Sequence, residues 1–182
     1  MSKMIELRAF KKQDCDRLIS WIPDARFLMQ FAGPQYTFPL DRKQIYNTIK
    51  NTEGDFPSLY MFKAVLLPED KVIGHVELMN IDRDERTTHM GSVLIGDPDY
   101  RGKGLGSEMI KRAVDFAFNI LGVKEVTLTV YDFNETDISC YRRIGFEDYR
   151  FHARGRRFEG EYWDMKIMRL KRDDWAKKRQ GP

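Results

Sequence analysis

At 182 residues with 42% hydrophobic side chains, the chain carries enough apolar material for one core and has no need of a second domain. Its 31 basic and 28 acidic residues leave a formal charge of +3, too balanced for a nucleic-acid surface, and no run approaches the roughly 18 apolar residues of a membrane span. Cys15, Cys140 and three histidines show no metal-ligand spacing and no disulfide framework, so no metal is expected.

The N-terminus lacks an apolar signal region, and a soluble, cytoplasmic protein is the expectation, without nucleic-acid or membrane partners. Ile5, Leu7 and Ala9 suggest an opening strand. A helix near Gln13 to Trp21 should end before Pro23, and a second should start after Asp41, carrying Ile45, Thr48 and Ile49 inward. Between them, Phe27 through Leu40 holds Phe31, Tyr36 and Phe38 among Gly33, Pro34 and Pro39. That stretch is too apolar for an ordinary exposed loop; it reads equally as the wall of an acceptor pocket or as aromatics closing over the core. Strands follow at Leu59–Leu66 and Val72–Ile81, joined by a hairpin turn at 67–71, and another at 88–96 comes after the charged turn 82–86. His75 and Glu77 lie two apart on the middle strand and so share a face.

The run from Asp97 to Glu108 joins the last of these strands to a long amphipathic helix through Gly102, Gly104 and Gly106. Met109, Ile110, Ala113, Val114, Ala117 and Leu121 recur at helical spacing, and Gly122 stops the helix. Three glycines before a helix N-terminus let bare backbone amides approach a ligand where partial positive charge accumulates, so a diphosphate is the natural guest. Nucleotide templates fail here: a dinucleotide fingerprint needs glycine where Ser107 stands, and no P-loop match exists. Such folds also open with their glycine loop, whereas this one comes past the middle of the chain.

Val126, Leu128 and Val130 alternate as in a strand. Asn134, with Glu135 and Asp137 in the following turn, then starts a compact helix that Gly145 terminates after Ile144. A closing hairpin near 160–168 precedes a charged segment; residues 1–172 are read as one domain and 173–182 as a frayed, charged tail.

Arg101, Gly104 and Gly106 form Arg-x-x-Gly-x-Gly, which resembles the acyl-CoA pyrophosphate motif of the GNAT superfamily of N-acetyltransferases. Asn134, Tyr141, Gly145 and Phe146 resemble its second CoA motif, although Asp137 stands where a small residue is usual. The order of elements matches over nearly the whole chain. Leu7-Arg8, Asp14, Trp21 and the stretch 160–168 look most like the RimJ/RimL-type branch, which acts on protein N-termini and small amines. The resemblance implies an α+β GNAT fold: a mixed central sheet of about seven strands, helices on both faces, and splayed central strands forming the acyl-CoA site.

It further implies an acetyl-CoA-dependent N-acetyltransferase acting on a primary amine in a direct ternary complex, as monomer or homodimer. The cofactor-binding residues would be Leu94, Ile95, Arg101, Gly102, Lys103, Gly104, Leu105, Gly106, Ser107, Asn134 and Tyr141. Backbone amides of Leu94 or Ile95 would polarise the acetyl carbonyl, and Tyr141 would protonate the departing thiolate. Arg142 and Arg143 are further candidates for CoA phosphates. A lysine-like amine costs roughly 4–5 kcal/mol to deprotonate at pH 7, so a proton acceptor is needed; Glu77 is the leading base, with His89 and Glu161 behind it. The competing reading is a non-catalytic acyl-CoA-binding regulatory module, which retention of Tyr141 disfavours.

Overall fold

A computed structural model describes residues 4–180. Among the described residues, seven strands form one sheet: β1 (Met4–Ala9), β2 (Leu59–Leu67), β3 (Lys71–Asp82), β4 (Thr87–Ile95), β5 (Glu125–Tyr131), β6 (Glu147–Phe158) and β7 (Glu161–Lys171), in the order β1-β2-β3-β4-β5-β7-β6. Every neighbouring pair is antiparallel except β4 and β5, which run parallel because the helix α4 (Leu105–Asn119) crosses over between them.

The residue-by-residue alternation of β2 divides the core between the two faces of the sheet. Phe62, Ala64 and Leu66 join β3, β5 and the buried side of α4 (Met109, Ile110, Ala113, Val114, Ala117 and Phe118), together with the helix α5 (Glu135–Ile144). Leu59 and Met61 instead meet three helices from the first half: α1 (Cys15–Ser20), α2 (Ala25–Ala32) and α3 (Arg42–Ile49). Asp41 and Asp24 cap α3 and α2, their carboxylates accepting from the Gln44 and Phe27 amides at 2.8 and 2.7 Å.

Two expectations are corrected. The first half of the Phe27–Leu40 stretch is helix rather than loop: Asp24 starts it and Leu28 and Phe31 bury its inner side. Its brevity and the Gly33-Pro34 that follows hide the helical period. The supposed frayed tail is the helix α6 (Arg172–Gln180), seated by Trp175, which is buried against the α4 side of the core with its indole N–H donating to Asp115 at 2.9 Å. A single large apolar residue in a charged segment gives no period, so only packing reveals it; the last two residues of that tail lie outside the described residues. Among the described residues no helix is long and apolar enough to cross a membrane, and no group of His, Cys, Asp or Glu is arranged to hold a metal ion.

Candidate active site

β4 pairs with β5 only from Thr87 to Met90, opposite Glu125 to Leu128, whereas its pairing with β3 continues to Ile95. Beyond Met90 the two central strands therefore part, and the β5-facing backbone groups of 91–95 are left for a ligand. A bulge with the extra residue on β4 sits where they part: His75 opposes Leu94 and Glu77 opposes Gly91, so one residue of β3 faces two of β4. Ser92, within it, has φ of 50°.

The parted strands open a cleft of about 520 Å³, lined by Val93, Leu94 and Ile95, by the glycine loop, by the start of α4 and by one side of α5. Gly102 and Gly104 take φ of 70° and 77°, a region that favours glycine, and Gly104 stands at the N-cap of α4. Their backbone presents the first turn of the helix to the cleft, a cradle suited to a diphosphate. Trp21 of the first half props this loop from behind: a Cβ on Gly96 would lie 1.8 Å from its ring.

Nine of the eleven expected cofactor residues line the cleft: Leu94, Ile95, Arg101, Gly102, Gly104, Gly106, Ser107, Asn134 and Tyr141. Lys103 does not; it is exposed, with its ammonium 5.7 Å from the centre of the Tyr100 ring. Leu105 does not either, because its side chain is buried in the core beneath α4. Arg101 bonds its own loop, donating to the carbonyls of Ile95 and Gly96 at 2.9 and 2.8 Å. Arg143 joins the lining, whereas Arg142 is drawn to Asp148 at 2.7 Å.

On α5, Asn134 occupies the N-cap position without a side-chain cap bond. Its side chain makes no bond to the helix start, and the residue lines the cleft. Tyr141 is 8% exposed and packs edge-on against Phe146. Burial, reinforced by the nearby Asp137 charge and Cys140, pushes its phenol well above the usual tyrosine range, so it holds its proton at neutral pH. Cys140 also lines the cleft despite adjoining Tyr141, and desolvation keeps its thiol protonated, which makes it a poor nucleophile.

A second cleft of about 430 Å³ meets the first at Gln30 and Phe31 of α2, which line both. Its walls come from the turn after α2, from β3 and β4, and from β5, β6 and β7. His89 lines this cleft with Nδ1 2.9 Å from Thr127 Oγ1, and desolvation lowers its pKa. Glu161, by contrast, is exposed and held by Arg26 and the Trp163 indole, outside both clefts.

The shared face of His75 and Glu77 is real. Nε2 of His75 lies 2.8 Å from Oε1 of Glu77, and the residues are 1% and 0% exposed. Phe10 and Phe31 pack edge-on against the imidazole, so the ring that lines both clefts also covers the pair. Nδ1 of His75 and Oε2 of Glu77 are buried without a hydrogen-bond partner.

The profile of the acetyltransferase (GNAT) domain matches residues 5–147. The chain belongs to the GNAT acetyltransferase family. It is accordingly an acetyl-CoA-dependent transferase acting on an amine. It is similar to the spermidine N(1)-acetyltransferase of Vibrio cholerae serotype O1, 26% identical over 170 residues that span 92% of this chain and 93% of that one. The probable N-acetyltransferase YjcK of Bacillus subtilis is 26% identical over 82% of this chain and 81% of its own. The crystal structure of the Vibrio cholerae spermidine N-acetyltransferase with CoA and spermine shares the fold, with TM-score 0.82 at 21% identity, covering 95% of this chain and 98% of that one.

Proposed function

We propose that this GNAT transferase joins an acetyl-CoA in the first cleft to a primary amine in the second, by direct attack in a ternary complex. The meeting of the two clefts at Gln30 and Phe31, beside the unpaired end of β4, carries this reading. The amine attacks the acetyl carbon while the carbonyl oxygen takes a backbone N–H of Leu94 or Ile95, a fixed donor that costs no reorganisation. Glu77 receives the amine's proton through water beneath Phe31, since its side chain reaches neither cleft directly. The tetrahedral intermediate expels the CoA thiolate, which Tyr141 protonates. Gly102, Gly104, Gly106 and Ser107 hold the diphosphate, Asn134 the pantetheine arm, and Arg143 a phosphate. Arg101 serves by fixing the loop.

The relatives named for spermidine favour a small aliphatic amine as acceptor. Placement in the RimJ/RimL-type branch rests on the end motifs: Trp21 props Gly96, and buried Asp14 pairs with Lys63 at 3.0 Å. The exposed edge of β6 suits a monomer or a homodimer. A non-catalytic acyl-CoA module has no use for a buried, protonated phenol in the cleft. Tyr141→Phe decides between these: kcat in a thiol-release assay should fall roughly 100-fold or more, with acetyl-CoA affinity by calorimetry within about threefold. Full turnover by the variant at saturating substrates would remove Tyr141 as the acid.

A further inference from the structure

The second cleft contains a formal positive charge and, among the described residues lining it, no aspartate or glutamate. The charge is Arg156. On the same hairpin Arg154 and Arg157 are exposed, but Arg156 is half-buried. The cause is a bulge: between His152 and Arg156 of β6 the pairing with β7 slips, so three residues face the single Asp164 between Met165 and Trp163. Arg154 takes φ of 53° there, and its amide donates to Asp164 Oδ1 at 2.7 Å. Gly155 fits closely inside the bulge: a Cβ would come within 3.1 Å of His152 and 3.2 Å of Met165. A bulge re-aims the side chain that follows it, and this one turns Arg156 inward.

The guanidinium stands beside the Tyr131 hydroxyl, and no carboxylate among the described residues forms an ion pair with it. Its Nε is buried without a hydrogen-bond partner. A half-buried guanidinium with one open donor is a place that an anionic oxygen can complete with a charge-assisted bond. The remaining polar lining, Gln30, Gln35, Asn80, Ser92 and Thr129, is neutral, and desolvation disfavours a charge on His89. A polyamine entering here would bring several positive charges toward Arg156 with no acid on the wall to receive them.

We propose that the acceptor is an amine that itself bears an anionic group, a carboxylate or a phosphate, which Arg156 grips while the amine points to the junction of the clefts. The inference rests on amine acetylation as proposed above and specifies the acceptor's charge. It sets this chain apart from relatives named for spermidine.

The test pairs free amino acids with their amides, and adds phosphoethanolamine and spermidine, in a thiol-release assay with acetyl-CoA. An acid preferred over its amide supports the inference through carboxylate recognition, and phosphoethanolamine as the better acceptor supports it through phosphate. Arg156→Gln should lower the acid-to-amide ratio of kcat/KM by about 10- to 100-fold, the range of a charge-assisted bond, and Arg156→Lys should restore part of it. Spermidine as the best acceptor, with the ratio unmoved in either variant, would overturn the inference and leave acetyl transfer intact. Calorimetry of the same compounds into CoA-loaded protein reads the site without turnover. Binding of the acids that depends on Arg156, without turnover of any amine, would sustain the anionic site and count against acetyl transfer instead.

Discussion

At the scale of the residue, Glu77 and Tyr141 have surroundings that suit the two protonation tasks proposed for them. Tyr141 is buried at the cleft wall and kept protonated by desolvation, which suits a group that must still carry its proton when the thiolate leaves. Glu77 is buried and bonded to His75, on which Phe31 packs, with one oxygen left open. Glu77→Gln keeps the shape and the bond to His75 but removes the proton acceptor. It should lower kcat/KM at pH 7 by roughly 10²- to 10⁴-fold and flatten the pH–rate profile, while thermal unfolding stays near that of the parent. A parental profile in the variant would move the base elsewhere. The positions of both candidates were legible in the sequence: the place of Tyr141 at the cleft from its motif, and the shared face of Glu77 and His75 from strand alternation. Arg156 was not, because β6 carries four arginines and nothing in their spacing announces the bulge that turns one of them inward.

At the scale of the element, the two helix starts at Asp24 and Asn134 look alike as sequence and differ as structure. Asp24 accepts the Phe27 amide at 2.7 Å and satisfies an orphan donor of α2. Asn134 makes no such bond, so its side chain is available to a ligand in the cleft it lines. Asp24→Ala should therefore cost about 1 kcal/mol in urea unfolding. Asn134→Ala should cost under about 0.5 kcal/mol, yet weaken acetyl-CoA roughly two- to tenfold by calorimetry. Equal stability losses would make Asn134 a cap and nothing more. α4, with its sustained period and glycine boundaries, was readable almost to the residue, whereas α2 was masked by its shortness and aromatic content.

At the scale of the whole molecule, the parting of β4 from β5 creates both clefts, and His89 sits where the last paired residues hold them together. Burial lowers its pKa from the ordinary 6.5, so the unfolded chain takes up a proton that the folded one resists. Its contribution to stability is present above that value and is lost as pH falls below it, by at most about 1.4 kcal/mol per pH unit. Urea midpoints at pH 7.5 and 5.5 should show a drop on acidification that His89→Gln reduces; equal drops in both proteins would show that His89 is not the group responsible. Local pattern was enough to establish the alternating strands, the amphipathic α4, the glycine cradle and the motif that carries Tyr141, because each depends on backbone geometry and periodicity within a short span. The tertiary structure alone decided which cations face a cleft, where β4 leaves its partner, that Phe31 stands between the His75–Glu77 pair and both clefts, and that Trp175 seats the final helix. Each of those depends on packing between segments far apart in the chain, and the energy that selects them appears only when both sides are present.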